Sequence, residues 1–217
     1  MTVYAGFDAY APPSPALWPA LRAMGLVFTG SYLVAPSHPS AAWAGTRAAL
    51  LAAGIASVPI FVGQETVGPG SHAVTPEQGR LDGQRLAAAM LAGGWPRGSW
   101  CFPDLENGPP YGVAQTGYEQ AVEAEAELEG WRMGAYCSYL LAPQVAASLK
   151  PGARIWPWRV QGIGGTATAP FPTPPLADSG YADAVLWQRA QNVTVDAAGT
   201  PVHMDLNVST LEDPSAP

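Results

Sequence analysis

Short β-forming runs alternate with longer runs rich in Ala and Leu along most of this chain, and the β runs number eight. Strand–helix alternation builds a parallel sheet covered by helices, and eight such strands predict a closed (β/α)8 TIM barrel. Strands are expected over 3–8, 27–33, 55–62, 99–105, 132–138, 153–158, 184–189 and 202–206. Helices are expected over 15–24, 39–53, 76–91, 114–130 and 140–149. Ser14 before Pro15 marks one helix start. Thr75-Pro76-Glu77-Gln78 marks another, with a capping hydroxyl, proline at the first position and a glutamine at the third. Gly25 and Gly54 act as stops. The last third departs from the pattern. Residues 162–182 lack periodicity and read as a long loop in place of a helix. Residues 193–200 read as a small excursion, with a hairpin turn at Ala197-Ala198-Gly199. The barrel is therefore expected to be irregular there, with an open doubly wound sheet as the alternative.

A chain of 217 residues with 48% hydrophobic content has enough apolar material for one such domain, assigned to 1–212, with 213–217 as a flexible tail. Charged residues make up 12%, about half the usual ~25%, which suits Ala- and Leu-rich helices. The net charge of −7 disfavours nucleic acid and anionic membranes as partners. No window of ~18 apolar residues is present to span a membrane. Met1-Thr2-Val3-Tyr4 lacks the basic and apolar regions of a secretory signal. The expectation is a monomer that stays in the cytoplasm, or leaves it by lysis or non-classical export. Cys101 and Cys137 lie in apolar runs and read as buried thiols, a disulfide staying open if their strands are neighbours. Neither has a histidine at ligand spacing, so no zinc site is expected. The acidic run Glu119, Glu123, Glu125, Glu127 and Glu129 reads as a solvated helix face.

Chemistry in such barrels gathers at the C-terminal ends of the strands. Asp8, Glu65, Asp104, Glu106 and Asp205 are all expected there. Side chains two apart on a strand share a face, so Asp104 and Glu106 point together and Leu105 points away. Neighbouring carboxyls repel, and one is pushed to keep its proton, an arrangement suited to acid-assisted cleavage of a glycosidic bond. The same alternation turns Asp8, His203, Asp205 and Asn207 inward, and Phe7, Met204 and Leu206 toward the helices. Tyr32, Tyr136, Tyr139, Trp156, Trp158 and Trp187 cluster near predicted strand ends, where their flat faces can stack on sugar rings. Three other readings stand beside this one. The acids could be paired structurally with Arg159 or Arg189. The barrel could bind a glycan without cutting it. Asp8, Asp104, Asp205 and His203 could hold a hard cation, although His38, His72 and His203 lack ligand spacing. No metal or other cofactor is expected.

Gly6-Phe7-Asp8, Gly30-Ser31-Tyr32, Asp104-Leu105-Glu106, Gly134-Ala135-Tyr136, Leu186-Trp187-Gln188 and Asp205-Leu206-Asn207, in this order, cover nearly the whole chain. Together they resemble the bacterial glycoside-hydrolase-like TIM-barrel domain formerly classed as a domain of unknown function. That family is in turn similar to the lysozymes of glycoside hydrolase family 25. The resemblance implies a peptidoglycan-type, N-acetylated glycan as substrate and partner. It implies Glu106 as general acid and Asp104 as charge stabiliser, orienting the substrate's N-acetyl group. Asp8 and Asp205 are implied as flanking catalytic acids, and Tyr32, Tyr136 and Gln188 as residues lining the cleft. Glu65, Trp158, Trp187 and Asn207 join the expected substrate-binding set from their positions at strand ends.

Overall fold

The computed structural model describes residues 2–66 and 72–217. Eight strands form the barrel: β1 (Tyr4–Asp8), β2 (Leu26–Tyr32), β3 (Ala56–Val62), β4 (Trp100–Leu105), β5 (Ala135–Ser138), β6 (Ile155–Ile163), β7 (Leu186–Ala197) and β8 (Thr200–Ser209). They pair in chain order, and β8 closes the ring against both β7 and β1. Every pairing from β1 to β7 is parallel. The eighth strand differs from expectation, because it runs antiparallel to both neighbours. The cause is the turn at Ala197-Ala198-Gly199. Ala198 (φ 53°) and Gly199 (φ 83°) adopt left-handed backbone, which folds β7 straight back into β8 as a hairpin. The hairpin turn lies where the sequence places it, but residues 193–197 and 200 belong to the ladder rather than to an excursion.

Among the described residues, five α-helices cover the outside: α1 (Trp18–Ala23), α2 (Arg47–Ala52), α3 (Pro76–Ala92), α4 (Val113–Leu128) and α5 (Ala142–Ser148). Thr75 caps α3 as expected, its side chain accepting the Gln78 N–H at 3.2 Å. The helix expected over 39–53 shrinks to α2. Trp43 is buried with its indole N–H donating to the Ala9 carbonyl at 3.1 Å, and Gly45 has φ 73°. A left-handed residue cannot sit inside an α-helix, so the helix starts after it. No α-helix follows β6; the long loop carries one turn of 3₁₀-helix, Leu176–Ser179.

The acidic face of α4 is not wholly solvated. Glu119 is fully buried and Glu123 nearly so. They share the buried stripe of Gln115, Tyr118, Val122 and Ala126, which packs on α3. Gly79 permits that approach: a Cβ there would lie 2.3 Å from the Tyr118 carbonyl oxygen. The tail also departs from expectation. Arg154 donates to the carbonyls of Pro214 (2.7 Å) and Ala216 (2.8 Å), and Ser215 is buried, its hydroxyl donating to the Ser57 carbonyl. Residues 213–217 are therefore held against the barrel floor, where β3 and β4 begin.

Phe28, Val58, Ile60, Phe102, Tyr136 and Trp156 fill the barrel interior. Trp156 meets Phe102 and Tyr136 edge-on, with ring centroids 5.6 and 5.5 Å away, and floors the mouth. Phe7, Met204, Leu206 and Leu105 pack outside the barrel, as alternation requires. Cys101 and Cys137 are both free and buried. Among the described residues no helix is long and apolar enough to cross a membrane.

Candidate active site

The mouth of the barrel gathers carboxyls from three strands. Asp8 ends β1, Asp104 is the last inward residue of β4, and Glu106 follows that strand's end. Asp205 is mid-strand rather than at a strand end, because β8 runs antiparallel. Its register opposite Asp8 still brings it to the same rim. Asp8 and Asp104 are each 4% exposed, whereas Glu106 is exposed.

Amide side chains hold two of these acids. Asn207 donates to Asp8 Oδ2 at 2.6 Å and accepts the Trp156 indole N–H at 3.1 Å. Gln188 donates to Asp205 Oδ2 and accepts the Tyr136 hydroxyl. The Asn192 backbone N–H donates to Asp205 Oδ1 at 2.7 Å. Asp104 Oδ1 is buried and has no partner among the described residues. Burial, then the Asp205 charge, lifts Asp8 to about 8, against the pull of Asn207. Burial, then the charges of Glu106, Glu65 and Asp8, raises Asp104 well above the usual carboxylate range. Burial also raises Asp205, opposed by Asn192 and Gln188. Of the adjacent pair, the buried environment that retains a proton thus belongs to Asp104. Burial and the surrounding acids raise the phenols of Tyr32 and Tyr136, so both stay hydroxyl donors.

No cation offsets this cluster: among the described residues, none of the ion pairs involves Asp8, Asp104, Glu106 or Asp205. Arg159 instead donates to the Asp178 carbonyl at 3.0 Å and lies over the Tyr139 ring. Arg189 lines an outer groove with Pro170 and Leu206. The structural-pairing reading therefore fails. Among the described residues no three His, Cys, Asp or Glu side chains are grouped to hold a metal ion. His203 is exposed, and its Nδ1 meets the Thr194 hydroxyl on the neighbouring strand at 3.1 Å.

The expected binding residues divide. Tyr32, Tyr136, Gln188, Asn207 and the half-buried Trp158 belong to the mouth or to the interior cluster beneath it. Trp187 does not. It is fully buried among Leu176, Ala184 and Val208, and its indole donates to the Arg159 carbonyl at 3.0 Å. Strand alternation is the reason: Gln188 points in, so Trp187 points out. Glu65 is engaged by protein backbone, its Oε1 accepting the Glu106 N–H at 3.0 Å.

The sequence reading missed a side chamber of about 270 Å³, lined by Asp8, Tyr10, Tyr32, Asn192, His203 and Asp205. Tyr10 is 70% exposed there. Behind it His38 is buried between Tyr10 and Tyr32, stacked on Tyr32 at 4.8 Å. The signal for Tyr10 was available: it lies two residues after Asp8.

No protein-family model and no curated protein matches the sequence. Solved structures do match the shape. An uncharacterized protein of B. stearothermophilus is 20% identical with a TM-score of 0.63, over 95% of each chain. GHIP, a glycosyl hydrolase 25 of Streptococcus pneumoniae, is 12% identical with a TM-score of 0.62, over 95% of this chain and 87% of its own. The spore cortex lytic enzyme SleM of Clostridium perfringens is 11% identical with a TM-score of 0.61, over 95% of this chain and 67% of its own. The chain therefore shares the fold of these solved structures, a glycosyl hydrolase 25 among them.

Proposed function

We propose that this chain belongs with the glycoside-hydrolase-like barrel domains and hydrolyses an N-acetylated, peptidoglycan-type glycan. The observation that carries this reading is the set of acids from three strands with no cation among the described residues to offset them. Gathering like charges in a buried mouth is costly, and such clusters mark functional sites. The fold likeness to GHIP and SleM supports the same substrate class.

In this mechanism Glu106 is the general acid. It projects past the end of β4, where the glycosidic oxygen of a bound chain can meet it. As the C1–O bond breaks, its electron pair goes to the leaving oxygen, which takes the Glu106 proton. Positive charge grows at C1 and ring oxygen. That charge favours the ionised forms of Asp104, Asp8 and Asp205, and Asp104 orients the N-acetyl carbonyl toward C1. Water then attacks C1 and returns a proton to Glu106. Tyr32, Tyr136, Gln188 and Asn207 hold the sugar hydroxyls, and Trp158 offers a stacking face.

Digestion of purified sacculi tests the reading. Wild type should release reducing sugar, and Glu106→Gln should release none above background. Binding without release by wild type would replace cleavage with recognition of the glycan.

A further inference from the structure

Glu65 follows β3, on the loop that leads to α3, and is 9% exposed. Its Oε1 accepts the Glu106 N–H at 3.0 Å. Thr66 makes the reverse stitch, donating to Asn107 Oδ1 from its backbone N–H (3.0 Å) and its hydroxyl (2.8 Å). Asn107 donates to Gln115 on α4 at 2.9 Å, and Gln115 donates to Glu119 at 2.8 Å. Two loops leaving adjacent strands are thus locked together at the residue proposed as the acid. The other Glu65 oxygen, Oε2, is buried and has no partner among the described residues. A buried acceptor left unpaired is costly, so this arrangement is a poor one for a purely structural role.

We infer that Glu65 is a positioning residue: its carboxylate fixes the Glu106 backbone beside Asp104, and the grip strengthens when Glu65 is ionised. The groups facing Glu65 are Asp104 on β4, Glu106 in the following loop, Glu119 on α4 and His72 on its own loop. Burial lifts Glu65 to about 7, opposed by the Glu106 N–H donor and by His72, and aided by the Glu106 charge. As pH rises through that value the N–H···O contact becomes charge-assisted and tightens. The inference rests on the proposed role of Glu106.

The first test needs no substrate. In wild type, the Glu106 amide proton followed by NMR should shift with a midpoint near pH 7, the value to which Glu65 is lifted. Glu65→Gln keeps a carbonyl acceptor but cannot ionise, so that transition should vanish while protection from hydrogen exchange changes by less than about threefold. Glu65→Ala should speed exchange of that amide about tenfold or more. A transition that survives in Glu65→Gln, or unchanged protection in Glu65→Ala, overturns the inference. On sacculi, Glu65→Ala should lower kcat about tenfold or more with KM within about threefold, and Glu65→Gln should recover most of that loss. A rise in KM alone would return Glu65 to substrate binding and overturn positioning. If wild type releases no sugar, the glycosidase reading falls and the amide measurements still decide the role of Glu65.

Discussion

Two groups of buried carboxyls, both near the barrel mouth, have opposite surroundings. Asp82 on α3 is fully buried and receives four donors: Gln78 (2.9 Å) and Arg85 (2.7 Å) at Oδ1, Tyr118 (2.9 Å) and Gln64 (3.3 Å) at Oδ2. Asp104 is almost as buried, has an oxygen unpartnered among the described residues and faces three further acids. The first arrangement satisfies its charge and ties α3 to α4. The second leaves charge unsatisfied around a hollow that a ligand can enter. Buried polar groups without partners are rare, and they concentrate where chemistry needs them. Satisfaction, not burial, separates the structural acid from those proposed to act in the site.

That contrast can be broken at four points. The largest effect belongs to Glu106→Gln, which should cost about 10²–10⁴-fold in sugar release with no loss of urea stability. If stability falls with activity, Glu106 is structural. Asp82→Ala should do the reverse, costing about 2–3 kcal/mol in urea denaturation, because Tyr118, Gln64 and Gln78 lose their acceptor. A neutral result would mean the α3–α4 network is not holding the helices together. A pH series gives a third point. The folded form lifts Asp8 and Glu119 to about 8, above their ordinary values of 3.8 and 4.5. The folded state therefore binds more protons than the unfolded state between about pH 4 and 8. The stability from those protons is full below about pH 4 and is lost as pH rises through 8, so Tm should fall across that window. Asp8→Asn should flatten part of the fall while removing activity, and an unchanged slope would show that Asp8 is ionised throughout. The smallest effect is expected from Glu119→Gln. The Gln115 contact at 2.8 Å can survive as an amide pair, so stability at pH 6 should change by less than about 1 kcal/mol. A larger loss would make Glu119 as indispensable as Asp82.

Much of this was legible in the residues. The Thr75-Pro76 start and the run of β-type segments announced a barrel, and alternation turned Asp8, Asp104 and Asn207 inward. Alternation says nothing about strand direction, so it could not show that the chain doubles back at Ala198 and Gly199. Asp205 reached the mouth anyway, because inward parity survives reversal. Trp187 was misread because its size drew attention while its neighbour Gln188 already claimed the inward face. Burial of Glu119 and Glu123 was visible in principle, since Gln115, Tyr118, Val122 and Ala126 mark their stripe at helical spacing. Acid composition outweighed that periodicity. The docking of residues 213–217 had no local signal, because it depends on Arg154 and Ser57, both distant along the chain.

The reversed final strand has a further consequence. β1 runs from floor to mouth and β8 from mouth to floor, so the chain begins and finishes on one face. A tag, tether or linked module joined at either terminus would hang beneath the barrel, leaving the opposite rim free to settle onto a polymer lying flat against it.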